Sequence, residues 1–145
     1  MQARQKPKLV KEVVPIIFDG QKVLVIYENG PQGRVRSLPI GGELPSGDVV
    51  NNARRIAYVR AGMAFENTGH NGVFKLERLS PGFADTDGHK VTFVFGTAKP
   101  ATPAPATVSK TEWVSIDVAI EAAKKRARRN FAFAQLVEVL EDLRT

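Results

Sequence analysis

Two runs of β-branched residues joined by Asp19-Gly20 constrain this chain more than any other feature. The first run, Leu9 to Phe18, carries Val10, Val13, Val14, Ile16 and Ile17. The second, Lys22 to Tyr27, reads KVLVIY. Asp-Gly suits a tight turn because both residues tolerate positive φ. The pattern predicts a β-hairpin near the start of the chain. At 145 residues, 43% apolar and 25% charged, the chain is long enough for one substantial core and too apolar for wholesale disorder.

Residues 1–8 are polar and basic and read as a flexible arm, with one domain over 9–145. Residues 29–33 (NGPQG) read as a loop, and Val35 to Leu38 as a short strand. Pro39 to Asp48 (PIGGELPSGD) is a compact Gly/Pro loop. Residues 49–61 follow with helical apolar spacing, Asp48 placed to cap the helix and Gly62 placed to stop it. Val73 to Leu79, Lys90 to Ala98 and Trp113 to Ser115 read as strands. The Pro/Ala-rich residues 100–107 read as extended, and 117–129 and 131–143 as helices. Strands interleaved with a few helices predict an α+β sandwich, with helices packed on a mixed sheet.

Composition removes several kinds of chemistry. There is no cysteine, so disulfides, thiolate nucleophiles and zinc–thiolate sites are excluded. The two histidines, His70 and His89, are too few for a histidine-rich metal site. No apolar stretch approaches the roughly 20 residues of a membrane helix. The first ten residues contain no apolar core, so no secretory signal is expected, and a cytoplasmic setting is. A net charge of +6 suits an anionic partner, and it equally suits plain solubility.

The loop and helix LPIGGELPSGDVVNNARRIAYVRAGM, residues 38–63, resemble the signature of the Nudix hydrolases, G-x5-E-x7-R-E-U-x-E-E-x-G-U with U a bulky aliphatic residue. Gly42 matches the first glycine, Arg55 the arginine and Gly62 the last glycine. Ala57 and Met63 fall at the apolar positions. Asp48 stands for the first glutamate, one residue closer to Arg55 than the family spacing. LPIGG, SPGF at 80–83, the KVLVIYENGPQG strand and TEWVSIDVA are similar to the ADP-ribose pyrophosphatase branch. The resemblance implies a Nudix-type α/β/α sandwich with a mixed central sheet. It also implies a nucleotide or nucleotide-sugar ligand, Mg²⁺ or Mn²⁺ if the chain is active, and a homodimer as in many members of that branch.

The departures are as informative as the matches. Active members carry three helix glutamates that hold metal and handle the attacking water. Here those positions are Ile56, Val59 and Arg60. Magnesium prefers several hard oxygen ligands, and a guanidinium supplies none. The resemblance therefore implies a degenerate box and weak or absent hydrolysis.

Each remaining candidate has an ordinary alternative. Asp48 and Glu43 are candidate metal or catalytic acids, or a helix cap and a solvated loop carboxylate. Asp85 and Asp87 are further acids for a rebuilt metal site. Arg55 is a vestigial catalytic residue or a solvated helix cation. Arg34 and Arg36, with Gly41, Gly42, Phe83 and Asp85, are candidate ligand contacts, or edge-strand cations and packing. Lys124, Lys125, Arg126, Arg128 and Arg129 place five cations in six residues. They are a candidate nucleic-acid or protein contact, or the cationic end that a helix dipole favours. Three functions stay open: a non-hydrolysing nucleotide or partner binder, a metal-dependent hydrolase of ADP-ribose-like compounds, and a basic RNA- or DNA-binding module.

Overall fold

A computed structural model describes residues 9–30, 33–45, 47–67, 73–78, 88–105, 108–127 and 132–143. The arm at 1–8, His70, Phe83, Asp85, Asp87, Arg128 and Arg129 lie outside the described residues. The elements run β1 (Leu9–Asp19), β2 (Lys22–Gly30), β3 (Gly33–Ser37), β4 (Gly41–Gly42), α1 (Val49–Ala61), β5 (Met63–Glu66), β6 (Val73–Arg78), β7 (Gly88–Pro100), β8 (Thr111–Ser115), α2 (Ile116–Ala127) and α3 (Ala132–Leu143).

The hairpin forms with Gly20-Gln21 as its two-residue loop, Gly20 at φ 59° and Asp19 still in β1, and β1 and β2 pair only at Phe18–Val23 and Asp19–Lys22. Beyond the turn β1 runs parallel to β7 through nine register positions, Leu9–Gly88 to Ile17–Gly96. The edge of β2 that β1 leaves is taken by β3, while β8 lines the other edge. One parallel pair among antiparallel ones makes the sheet mixed, as expected.

Alternation along the strands feeds two cores, because successive side chains point to opposite sheet faces. Val13, Ile17, Leu24, Ile26 and Val94 meet Ala53, Ile56, Ala57 and Ala61 of α1. Val14, Ile16, Val23, Val25, Phe93 and Phe95 meet α2 and α3 through Ala119, Ile120, Ala123, Phe133, Leu136 and Leu140. The result is an α/β/α sandwich.

Several boundaries differ from the sequence expectation. Residues 29–33 are not wholly loop, because β2 and β3 pair out to Gly30–Gly33. The Pro39–Asp48 loop contains β4, whose Gly41 and Gly42 pair with Val13 and Glu12. A strand not expected from the sequence, β5, leaves Gly62 directly and pairs with the end of β7. Four residues after a helix stop are too few for a recognisable alternation.

Gly96 lies where β7 passes from β1 to β5. A Cβ there would run into the carbonyl oxygen of Glu66 and the Phe65 ring. Backbone cannot yield as a side-chain tip does, so Gly96→Ala is expected to cost about 3 kcal/mol. A thermal unfolding curve matching that of the parent chain would contradict this account of the β5–β7 contact.

Candidate functional site

Helix α1 begins and ends as its sequence predicts. Asp48 takes an extended backbone and its carboxylate accepts from Asn51 N–H at 2.8 Å. Gly62 closes the helix in the left-handed region at φ 67°, returning its N–H to the last turn. The Pro/Ala-rich segment then covers that end. Ala101 N–H donates to Gly62 O at 2.9 Å and Ser109 N–H to Arg60 O at 3.2 Å. The Tyr58 hydroxyl reaches Pro103 O at 3.1 Å.

The glycine-rich loop is tied to α1 by two side chains. Asn52, buried in the first turns, accepts from Leu44 N–H at 2.9 Å through Oδ1. Its Nδ2 donates to Asp48 O at 3.0 Å and Leu44 O at 3.4 Å. Arg55 donates to Gly42 O at 2.6 Å and to Asn52 Oδ1 at 3.1 Å. Arg55 is therefore a brace between helix and loop rather than a solvated cation. The sequence does not single out Asn52 as a candidate. Its one signal is an amide inside an otherwise apolar helical face, where such a group needs partners.

The three positions at which the family carries glutamates lie in different environments. Ile56 is 1% exposed and belongs to the core. It lies so close under Gly41 that a Cβ there would come within 2.8 Å of Ile56 Cγ1. Val59 is 49% exposed. Arg60 donates through Nη2 to Glu28 Oε1 at 2.5 Å. Glu28 continues the alternation of Leu24 and Ile26 on the face of β2 that α1 covers, which explains the meeting of residues 32 apart in sequence.

A polar cleft of about 520 Å³ opens over this pair, bounded by Tyr27, Glu28, Arg34, Arg60, Ser109 and Lys110 among others. Tyr27 is fixed at its rim. Its hydroxyl donates to Glu112 Oε1 at 2.5 Å, and Arg36 Nε donates to the same oxygen at 3.0 Å. The Arg36 guanidinium and the Lys110 ammonium each lie 5.8 Å from the Tyr27 ring centre. The Tyr27 hydroxyl and then Arg36 hold the Glu112 carboxyl below the usual carboxylate range. Glu112 in turn holds Arg36 above its usual value. The contribution of this exposed cluster is complete above the ordinary carboxylate pKa and fades as pH falls through the lowered one.

The structure thus brings Arg34 and Arg60 to one cleft and places Arg36 beside it, engaged by Glu112. Glu43 and Asp48 stand apart from it on the loop and the helix cap. Among the described residues, no group of three or more His, Asp or Glu is arranged to hold a metal ion. The basic run on α2 is partly committed within the chain. Lys124 pairs with Glu121 at 3.5 Å, and Arg126 lies 5.8 Å over the Phe133 ring and donates to Ser37 Oγ at 3.3 Å. A second cleft, about 460 Å³, lies between α1, β5 and β7 and includes Tyr58, Phe65 and Lys99. No described helix is long and apolar enough to cross a membrane.

The loop anchor predicts a measurable effect. Asn52→Ala strips partners from Leu44 and Asp48 and should cost about 1–3 kcal/mol. Amide exchange should speed up at Leu44 while α2 and α3 stay protected. Unchanged exchange at Leu44 would show that the loop is held otherwise.

No family model matches the chain, and no curated protein matches it in sequence. Solved structures do match. An ADP compounds hydrolase superimposes with a TM-score of 0.65 at 16% identity, covering 98% of this chain and 79% of that one. A Nudix hydrolase from Nitrosomonas europaea gives 0.57 at 19% identity, covering 94% and 87%. An Ap4A hydrolase from C. elegans, solved as a binary complex, gives 0.56 at 14% identity, covering 92% and 94%. At these identities the likeness is one of architecture, and the fold of this chain is the Nudix-type α/β/α sandwich.

Proposed function

We propose that this chain is a Nudix-fold protein that binds a nucleotide or nucleotide-sugar and does not hydrolyse it by the metal-dependent route. The observation that carries this reading is the character of α1, where Ile56 is core and Arg60 is ion-paired to Glu28. Counted back from Gly62 without a gap, the family pattern falls on Gly41 and Gly47, not on Gly42 and Asp48. Asp48 is then one residue beyond the glutamate position, consistent with its carboxylate serving the helix cap. In this register the acid positions of the box read Gly47, Ile56, Val59 and Arg60. That donor set does not fit a divalent cation, which needs several hard oxygen ligands.

Phosphoryl chemistry at a diphosphate depends on neutralising charge that builds in the transition state. Losing one such stabilising element commonly costs a factor of about 10²–10³. Loss of the whole acidic face leaves binding without efficient turnover. The matched structures named for ADP compounds and for Ap4A support an adenosine phosphate as the ligand class.

A panel of ADP-ribose, sugar nucleotides, dinucleoside polyphosphates and nucleoside triphosphates, with Mg²⁺ and Mn²⁺, tests this reading. No product above a heat-killed control is expected, together with a ligand-dependent rise in Tm. Saturation at about 100 Kd corresponds to roughly 2.7 kcal/mol of stabilisation. Metal-dependent turnover would overturn the reading.

A further inference from the structure

We propose that the cleft over Arg60 is a metal-independent diphosphate site, in which Arg60, Arg34 and Lys110 hold the anion directly. This deepens the ligand-binding reading above and rests on it. Three cations and one carboxylate, Glu28, are among the charged groups bounding the cleft. A divalent cation placed there would meet three like charges and a single carboxylate. A diphosphate would meet the reverse. The surrounding fold supplies the positive charge that the family obtains from metal.

The geometry of Arg60 supports this assignment. A guanidinium presents five N–H donors in a planar fork suited to phosphate oxygens. Arg60 uses Nη2 on Glu28, and its buried Nε–H meets no acceptor among the described residues. The guanidinium is thus only partly satisfied by the chain's own acceptors. An incoming phosphate offers several acceptors and competes with the lone Glu28 oxygen. Glu28 then acts as a latch that keeps Arg60 over the cleft until an anion arrives.

The rim is held in place too. Tyr27 N–H donates to Lys110 O at 2.9 Å, fixing the backbone of the chain that enters β8. The Tyr27 ring lies under the Lys110 ammonium, and its hydroxyl is anchored by Glu112. Arg34 also bounds the cleft; paired with Asn29 on β3, it approaches from the Tyr27 face of the sheet rather than from the α1 face that carries Glu28. Charge-assisted bonds from a pre-placed Arg fork and a Lys are the strong kind for phosphate.

Titration calorimetry with inorganic pyrophosphate and with ADP, in EDTA and then in excess Mg²⁺, tests the proposal. Both probes should bind in EDTA, and Mg²⁺ should weaken rather than strengthen binding by masking the probe's charge. Arg60→Ala should weaken both at least ten-fold. Arg34→Ala and Lys110→Ala, at exposed positions that leave the core untouched, should each weaken both several-fold. Glu28→Gln should tighten both by freeing Arg60. Binding that requires Mg²⁺, or that is unchanged in Arg34→Ala and Lys110→Ala, would overturn the proposal even if ligand binding itself stands. ADP binding without pyrophosphate binding would overturn it as well, by placing recognition on the nucleoside. No binding of either probe in any buffer would overturn the site, while the turnover panel would decide separately whether the chain is an enzyme.

Discussion

The parallel pairing of β1 with β7 is the constraint around which the rest of the molecule is arranged. Parallel neighbours cannot be joined by a turn, since the chain must return to the starting end before the second strand begins. Here the return takes up everything between Asp19 and Gly88, including β2 to β6 and α1. Helix α1 is carried across one face of the sheet as part of that return. Its C-terminal end comes to rest beside β2, and Arg60 meets Glu28 for that reason. The other face is left for α2 and α3, which close the second core.

Within this frame the glycine-rich loop is held to the helix. Asn52 and Arg55 gather Gly42, Leu44 and Asp48 into one hydrogen-bonded unit. Ile56 fills the space beneath Gly41 that a charged group would have to share with the core. The cleft beside β2 is bounded by Arg34, Arg60 and Lys110 against the carboxylate of Glu28. The same scaffold geometry that serves metal chemistry when lined by carboxylates would serve direct anion contact when lined by Arg and Lys. Fold and chemistry are separable in this way because the backbone sets where side chains point, while their identity sets what they attract.

Local signals reveal much of this chain and leave the site half hidden. Asp19-Gly20, the Asp48 cap and the Gly62 stop act within a few residues, so the hairpin and α1 can be read directly from sequence. The β-branched runs reveal β1, β2 and β7 for the same reason. Their order gives an α+β sandwich with helices on a mixed sheet, and the family resemblance, not the order, puts helices on both faces. The parallel register of β1 on β7 has no local signature, nor does the two-residue strand β4. Arg34 could be picked out as a cation near the loop, and the Arg60 substitution could be seen against the family pattern. Their convergence with Lys110 could not, because it depends on β2, β3 and the approach to β8 lying side by side. The Tyr27–Glu112 bond spans 85 residues and belongs to the same class of fact.

On the proposed reading, α1 carries no divalent-metal centre. Mn²⁺ titration of the ¹⁵N-labelled protein tests it most directly, since a bound paramagnetic ion broadens nearby amide signals selectively. The account predicts no selective loss at Gly42, Arg55, Arg60 or Ser109 at Mn²⁺ levels that leave the remaining spectrum unchanged. Selective broadening centred on those amides would contradict it and show that a metal still binds on this face of the helix.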